Sequence, residues 1–240
     1  MKKLIIILSL FVSLSIAQDY SLSFDGVDDY VDCGTGLFNN TTNNFTYELV
    51  VKPTVEVDIP AQQHSGYNYS YGNPNFAIFP ELLTYGSGVS VGTNGISVFE
   101  HGPNYFYPQL QYQFDEIIDE YIYITIKYIS GIPYLYINGE YKTAGISNFL
   151  GSVRPSAKIG GQENQGEWKL FEGYFKSYAV WNFPIDTEDI SIQNFNNLEG
   201  NEEGLLGYWN FNAGEGDILY DHSGNGNHGT INGATWVCNE

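Results

Sequence analysis

GYWNFNAGEGDILYDHSGNGNHGTINGATWV (Gly207–Val237), set beside LSFDGVDDYVDCG (Leu22–Gly34), decides the fold. In both stretches short apolar runs are separated by clusters of Gly, Asn, Asp and Ser, the punctuation of strands and tight turns. Trp209 and Phe211 stand two apart and so share one face of a strand. The same period extends outward. FTYELVV (Phe45–Val51) places Phe45, Tyr47, Leu49 and Val51 on one face, and within Tyr121–Ile129 the residues Ile122, Ile124 and Ile126 alternate with Tyr123, Thr125 and Lys127. YLYINGEYK (Tyr134–Lys142) reads as a hairpin, because Asn138-Gly139 supplies the positive φ values of a two-residue turn. Val89–Val91 and Ile96–Phe99 flank Gly92-Thr93-Asn94-Gly95 as a second pair. Gly173–Trp181 is a further strand, with Phe175, Ala179 and Trp181 expected on the core side. Only Asp186–Ile190, after Pro184, looks helical: an N-cap candidate precedes acids in the first turn, and the helix should end near Asn196-Asn197. The pattern predicts an all-β, two-sheet antiparallel sandwich with one short helix.

These segments resemble a LamG-like jelly roll, the concanavalin A-like sandwich of laminin G modules, pentraxins and many secreted bacterial binding modules. The two stretches quoted first are similar to its two ends. LYINGEYKTAG (Leu135–Gly145) resembles its central hairpin, and VSVGTNGISVFEHG (Val89–Gly102) a strand pair common in secreted bacterial members. KIGGQ (Lys158–Gln162) and Gly173–Asn182 resemble its late strands. The resemblance implies that the chain ends form neighbouring strands, which would bring Cys33 and Cys238 together as a disulfide in an oxidising compartment. Two free thiols are the alternative. Relatives often hold calcium with acids and backbone carbonyls on loops at the sandwich rim. Members usually carry Ile-Asp where this chain has Phe175-Lys176, so a role of that acid cannot be carried over.

Lys2 and Lys3, the apolar run Leu4–Leu14 and Ser15-Ile16-Ala17 form a secretory signal over residues 1–17. The run is too short to span a bilayer, which takes roughly 20 apolar residues. Residues 18–240 show no linker and no repeat, and read as one secreted or cell-surface domain. Nine Lys and Arg stand against 28 acids, for a formal net charge of −19. Such a surface repels phosphate backbones and anionic headgroups, which argues against nucleic acid or membrane insertion. It suits cations and neutral sugars; it also suits simple solubility.

Calcium is the sharpest chemical expectation. Asp221, Ser223 and Asn225 place oxygens at alternate positions of a loop with Gly226 at its sixth, a spacing that lets side chains converge on a hard cation. Asp25, Asp28 and Asp29 form a second carboxylate cluster that the fold could bring close. The same Ser-Gly and Asn-Gly dipeptides also make ordinary turns without any metal.

With 20 Tyr, 15 Phe and 4 Trp, the chain is rich in aromatic residues. Tyr67, Tyr69 and Tyr71 lie in a Gly/Asn/Ser-rich loop, and Tyr105 and Tyr107 in another. Their rings offer an apolar face and a hydroxyl, suited to stacking on sugar rings. No Glu-x-Asp-x-Glu strand of the kind β-glucan hydrolases use is present, and no Gly-x-Ser-x-Gly. The expected function is therefore non-catalytic recognition of a glycan or cell-surface glycoconjugate, with calcium at the rim. A surface-protein adhesion module is the alternative, and a glycan-cleaving hydrolase a third.

Overall fold

A computed structural model describes residues 19–59, 73–81, 85–102, 106–146, 151–162 and 170–239. The strands begin with β1 (Asp19–Asp25), β2 (Tyr30–Asp32), β3 (Phe45–Pro53), β4 (Phe76–Phe79), β5 (Gly86–Gly92), β6 (Gly95–His101), β7 (Phe106–Gln113), β8 (Ile122–Ile129) and β9 (Ile132–Ile137). They continue with β10 (Glu140–Ala144), β11 (Arg154–Pro155), β12 (Lys158–Ile159), β13 (Glu172–Trp181), β14 (Leu205–Trp209), β15 (Ile218–Leu219), β16 (Gly229–Asn232) and β17 (Thr235–Asn239). One sheet runs β10-β9-β8-β3-β13-β1-β17, with β14 also on β13; the other runs β15-β16-β2-β12-β4-β5-β6-β7, with β11 on β5. Pairing between strands is antiparallel apart from β11, which lies parallel to β5. This is the expected all-β two-sheet jelly roll.

The alternating apolar residues meet between the sheets. Leu49, Val51, Ile124 and Ile126 from one sheet pack against Val89, Val98 and Ile159 from the other, all fully buried. Full burial of each such side chain contributes roughly 1.5–3 kcal/mol. Trp209 stacks on Tyr178 at 5.5 Å in the same core. Asn138 and Gly139 turn the β9–β10 hairpin at φ 52° and 84°, and Asn138 Oδ1 accepts the Tyr123 N–H at 3.1 Å.

The eight-stranded sheet is buried on its outer face as well. Val50, Tyr123, Trp181, Phe195 and Tyr208 form a second apolar cluster there. Its cover is the segment after β13, in which a 3-10 turn (Thr187–Asp189) precedes a separate helix, α1 (Ile192–Asn196). The single helix expected from Asp186 is thus two pieces. Asp186 makes no side-chain cap, whereas the Ser191 hydroxyl accepts the Asn194 N–H at 3.1 Å and starts α1. Buried Lys127 fastens the cover, donating to the Ile185 carbonyl at 3.3 Å and to Thr187 Oγ1 at 3.0 Å.

Two further expectations are corrected. In β13 Phe175 pairs with Val51 but Ser177 with Val50, so Lys176 is the extra residue of a β-bulge. The bulge inverts the alternation beyond it. Phe175, Tyr178 and Val180 face the core, while Ala179 and Trp181 join the outer cluster. The cysteines depart from expectation as well. β1 does pair with β17, as expected of the chain ends, yet Cys33 and Cys238 are free thiols. Cys238 sits opposite Tyr20 in the eight-stranded sheet, and Cys33 follows β2 in the other sheet, where it is buried beside Gly229.

Candidate functional site

A groove opens on the outer face of the eight-stranded sheet, and the strand registers explain why. β1 pairs with β13 from Glu172 to Phe175, and β14 pairs with β13 from Tyr178 to Trp181. The two strands share one flank of β13 and leave Lys176 and Ser177 unpaired on that side. At this gap lies a cavity of about 570 Å³ whose lining includes Tyr121, Lys176, Tyr208, Asn196, Asn210 and Asn212.

Tyr121, Lys176 and Tyr208 are each held by neighbouring side chains. Tyr121 is half-buried, and its hydroxyl donates to Asn239 Oδ1 at 3.1 Å. Burial raises its phenol above the ordinary range. Lys176, turned outward at the bulge, lies 4.6 Å over the Tyr121 ring and is ion-paired with Asp19. Tyr208 is fixed by Phe195 on one side and His222 on the other. Asn210 and Asn212 flank Phe211, a non-glycine residue at φ 47° whose ring is wholly buried against Phe175. A bulky residue at positive φ is uncommon and strained, costing of order 1–3 kcal/mol. With the Phe ring sent into the core, the two neighbouring amides are left on the groove side. Both also line a smaller cavity of about 180 Å³ beside Tyr220, His222 and Trp236, so the two depressions meet at Asn210 and Asn212.

Chemically the groove offers aromatic faces, three amides that each supply a donor and an acceptor, and a lysine–aspartate pair. It has no cluster of metal ligands and no pair of facing glutamates among the described residues.

The expected calcium residues fall into two separate groups. Asp25, Asp28 and Asp29 do converge, with ligand oxygens within 4.8 Å of one another. Asp29 is buried and accepts the Asp25 N–H at 2.8 Å. Burial raises its carboxyl, and the charges of Asp25 and Asp28 add to the effect. Asp221 organises a different loop. Its oxygens accept N–H groups of Tyr208 at 3.0 Å, Ser223 at 2.9 Å and Asn227 at 2.9 Å. Asn225 turns its amide nitrogen to the Leu205 and Leu206 carbonyls, and Ser223 Oγ accepts the Asn225 N–H at 3.4 Å. Asp29 abuts Gly233 at one end of the β2–β16 ladder, and the Asp221 loop meets Cys33 and Gly229 at the other. Four residues of strand, about 13 Å, separate these ends. The two groups cannot share one ion.

Tyr67, Tyr69, Tyr71 and Tyr105 lie outside the described residues, and so does the side chain of Tyr107. Residues 1–17, expected as a secretory signal, and Trp168 also lie outside them. The groove residues had no common signal in the sequence, since they come from the residue before β8, from β13, α1 and β14, and from the segment after β14. WNFN (Trp209–Asn212) is the one local hint, with amides alternating with core aromatics.

No family model and no curated protein matches this chain. Among solved structures, its fold is similar to that of a Bacteroides ovatus protein assigned to carbohydrate binding, with 17% identity and a TM-score of 0.63 over 93% of this chain. The chain spans 60% of that protein's length. More distant likenesses are a heptameric SAP-like pentraxin of Limulus polyphemus (12% identity, TM-score 0.46, 74% of this chain and 82% of that one) and domain 4 of a GH43 extracellular arabinanase of Geobacillus stearothermophilus in complex with arabinotriose (12%, 0.42, 71% and 74%). The first likeness supports the two-sheet jelly-roll architecture. No helix among the described residues is long and apolar enough to cross a membrane.

Proposed function

We propose that this chain is an exported, non-catalytic binding module that recognises a neutral carbohydrate, free or as part of a cell-surface glycoconjugate, in the groove between Tyr121 and Asn212. The observation that carries the reading is the groove's lining. Tyr121, half-buried, presents apolar ring surface, Tyr208, 7% exposed, adds only a margin of its ring, and Asn196, Asn210 and Asn212 present uncharged amides. A sugar ring has apolar C–H patches and neighbouring hydroxyls that both donate and accept, which is what these two side-chain types match. A net charge of −19 disfavours anionic ligands and leaves neutral ones unopposed. The fold neighbour assigned to carbohydrate binding supports the same reading. Export rests on the leader-like residues 1–17.

Calcium is a finer part of this proposal. Asp25, Asp28 and Asp29 supply three carboxylates toward the 6–8 oxygens that calcium takes. A native-state ion must raise the melting temperature, so millimolar calcium against chelator tests it. An unchanged melting temperature removes calcium from the account.

A glycan array probed with the chain from residue 18 onward tests the main reading. Binding to neutral oligosaccharides that survives high salt is expected. A silent array together with specific capture of an envelope protein would instead favour the adhesion reading.

A further inference from the structure

On the other side of α1 from the groove lies a cavity of about 430 Å³, within the size range of small-molecule sites. Trp181, Phe183, Ile185, Phe195 and Leu198 line it with apolar surface, and Glu48 is among its lining residues. Trp181 and Phe183 meet edge to face, with centroids 6.0 Å apart. Asp189 and Glu202 also line the cavity, and no Lys, Arg or His does so among the described residues.

Glu48 is the unusual feature. It lies on β3 in the midst of the outer apolar cluster and is 3% exposed. Oε1 accepts the Tyr123 hydroxyl, and Oε2 accepts the Trp181 indole N–H at 2.7 Å. A carboxylate has about four lone-pair sites, so two donors leave acceptor capacity unused. Burial pushes the carboxyl up to about 7, against the two hydrogen bonds that lower it. A buried carboxylate is costly unless it takes up a proton or a cation accompanies it. The buried cation of this sheet face, Lys127, is committed to Ile185, Thr187 and the Tyr136 ring, 5.1 Å from its ammonium.

We propose that this cavity is a second binding site, taking an ammonium group on an apolar stem, as in a primary alkylamine or a lysine side chain. The ammonium would approach Glu48 while the stem packs on Phe195, Ile185 and Leu198. The rings of Trp181 and Phe183 add the attraction of an aromatic face for a cation. The site is separate from the groove and does not rest on the glycan reading.

The test is a titration of the whole folded chain, following the Trp181 indole N–H resonance, assigned with Trp181→Phe. The probes are n-butylammonium and Nα-acetyl-lysine N-methylamide, with n-butanol and butyrate as neutral and anionic controls. Saturable shifts are expected with the cations, at least tenfold weaker with the controls. Glu48→Gln should weaken cation binding at least tenfold. Leu198→Trp, which fills the cavity from its rim, provides an independent loss should Glu48→Gln fail to fold. Binding of both cations points to a free amine, and binding of the lysine derivative alone to a protein-borne lysine; each supports the site. The proposal is overturned if neither cation gives a saturable shift, if butanol binds as well, or if a folded Glu48→Gln or Leu198→Trp variant binds unchanged.

Discussion

Phe211 stacks on Phe175 with ring centroids 5.0 Å apart and planes 18° from parallel, while its own backbone stands at φ 47°. The stack fixes the point where the chain leaves β14, and with it the placement of Asn210 and Asn212. Phe211→Ala removes a wholly buried ring, a change that costs about 3–5 kcal/mol in a core. The strained backbone remains, because Ala gains little at positive φ. Urea unfolding should show a loss of that order. A loss under ~1 kcal/mol would mean that the ring is not an anchor.

Stability should fall as pH rises across neutrality. Burial raises Glu48 to about 7 and Glu100 to about 8, whereas an unfolded glutamate titrates near ~4.3. The folded chain therefore binds more protons. The contribution is fully present below about pH 4 and is lost as pH climbs through each folded value, at up to ~1.4 kcal/mol per pH unit per group. Two groups have the opposite sign: Asp32 acts in acid, because hydrogen bonding from Lys158 holds its carboxyl low, and His101, lowered to about 4 by burial, offsets one of the two glutamates up to about pH 6.5. Melting temperatures from pH 5 to 8 should decline, and Glu48→Gln should make the decline shallower. A rise over that interval contradicts the assignment.

The two thiols should behave differently. Cys238 is exposed, while Cys33 is buried and its thiol is pushed up by desolvation. An aromatic disulfide reagent should therefore modify one cysteine in the native, unreduced protein and both after denaturation. Two unreactive cysteines in the denatured, unreduced chain would restore the bridge.

How far the sequence was legible follows from what each feature depends on. Alternation set by one strand and its turns could be read, as in Phe45–Val51 or the Asn138-Gly139 hairpin. The bulge at Lys176 could not, since it exists only in the register between β13 and β3. It moved Ala179 and Trp181 to the outer face. That face is itself buried, so Tyr123 and Trp181 carried no contrast between inside and outside. The cysteine pairing failed for a related reason: Cys33 follows β2 rather than sitting on β1, which places it in the opposite sheet. The groove assembles Tyr121, Lys176 and Asn210 from distant segments, and no local pattern encodes their meeting.

The most direct measurement is calorimetric titration of the best-bound array glycan into wild type, Asn210→Ala/Asn212→Ala, Tyr121→Ala and Tyr67→Ala/Tyr69→Ala/Tyr71→Ala. The groove account expects the first two variants to lose at least about tenfold in affinity, roughly 1.4 kcal/mol, with the tyrosine-loop variant close to wild type. Unchanged affinity in both groove variants, with loss in the loop variant, would contradict it and place the glycan on the tyrosine loop.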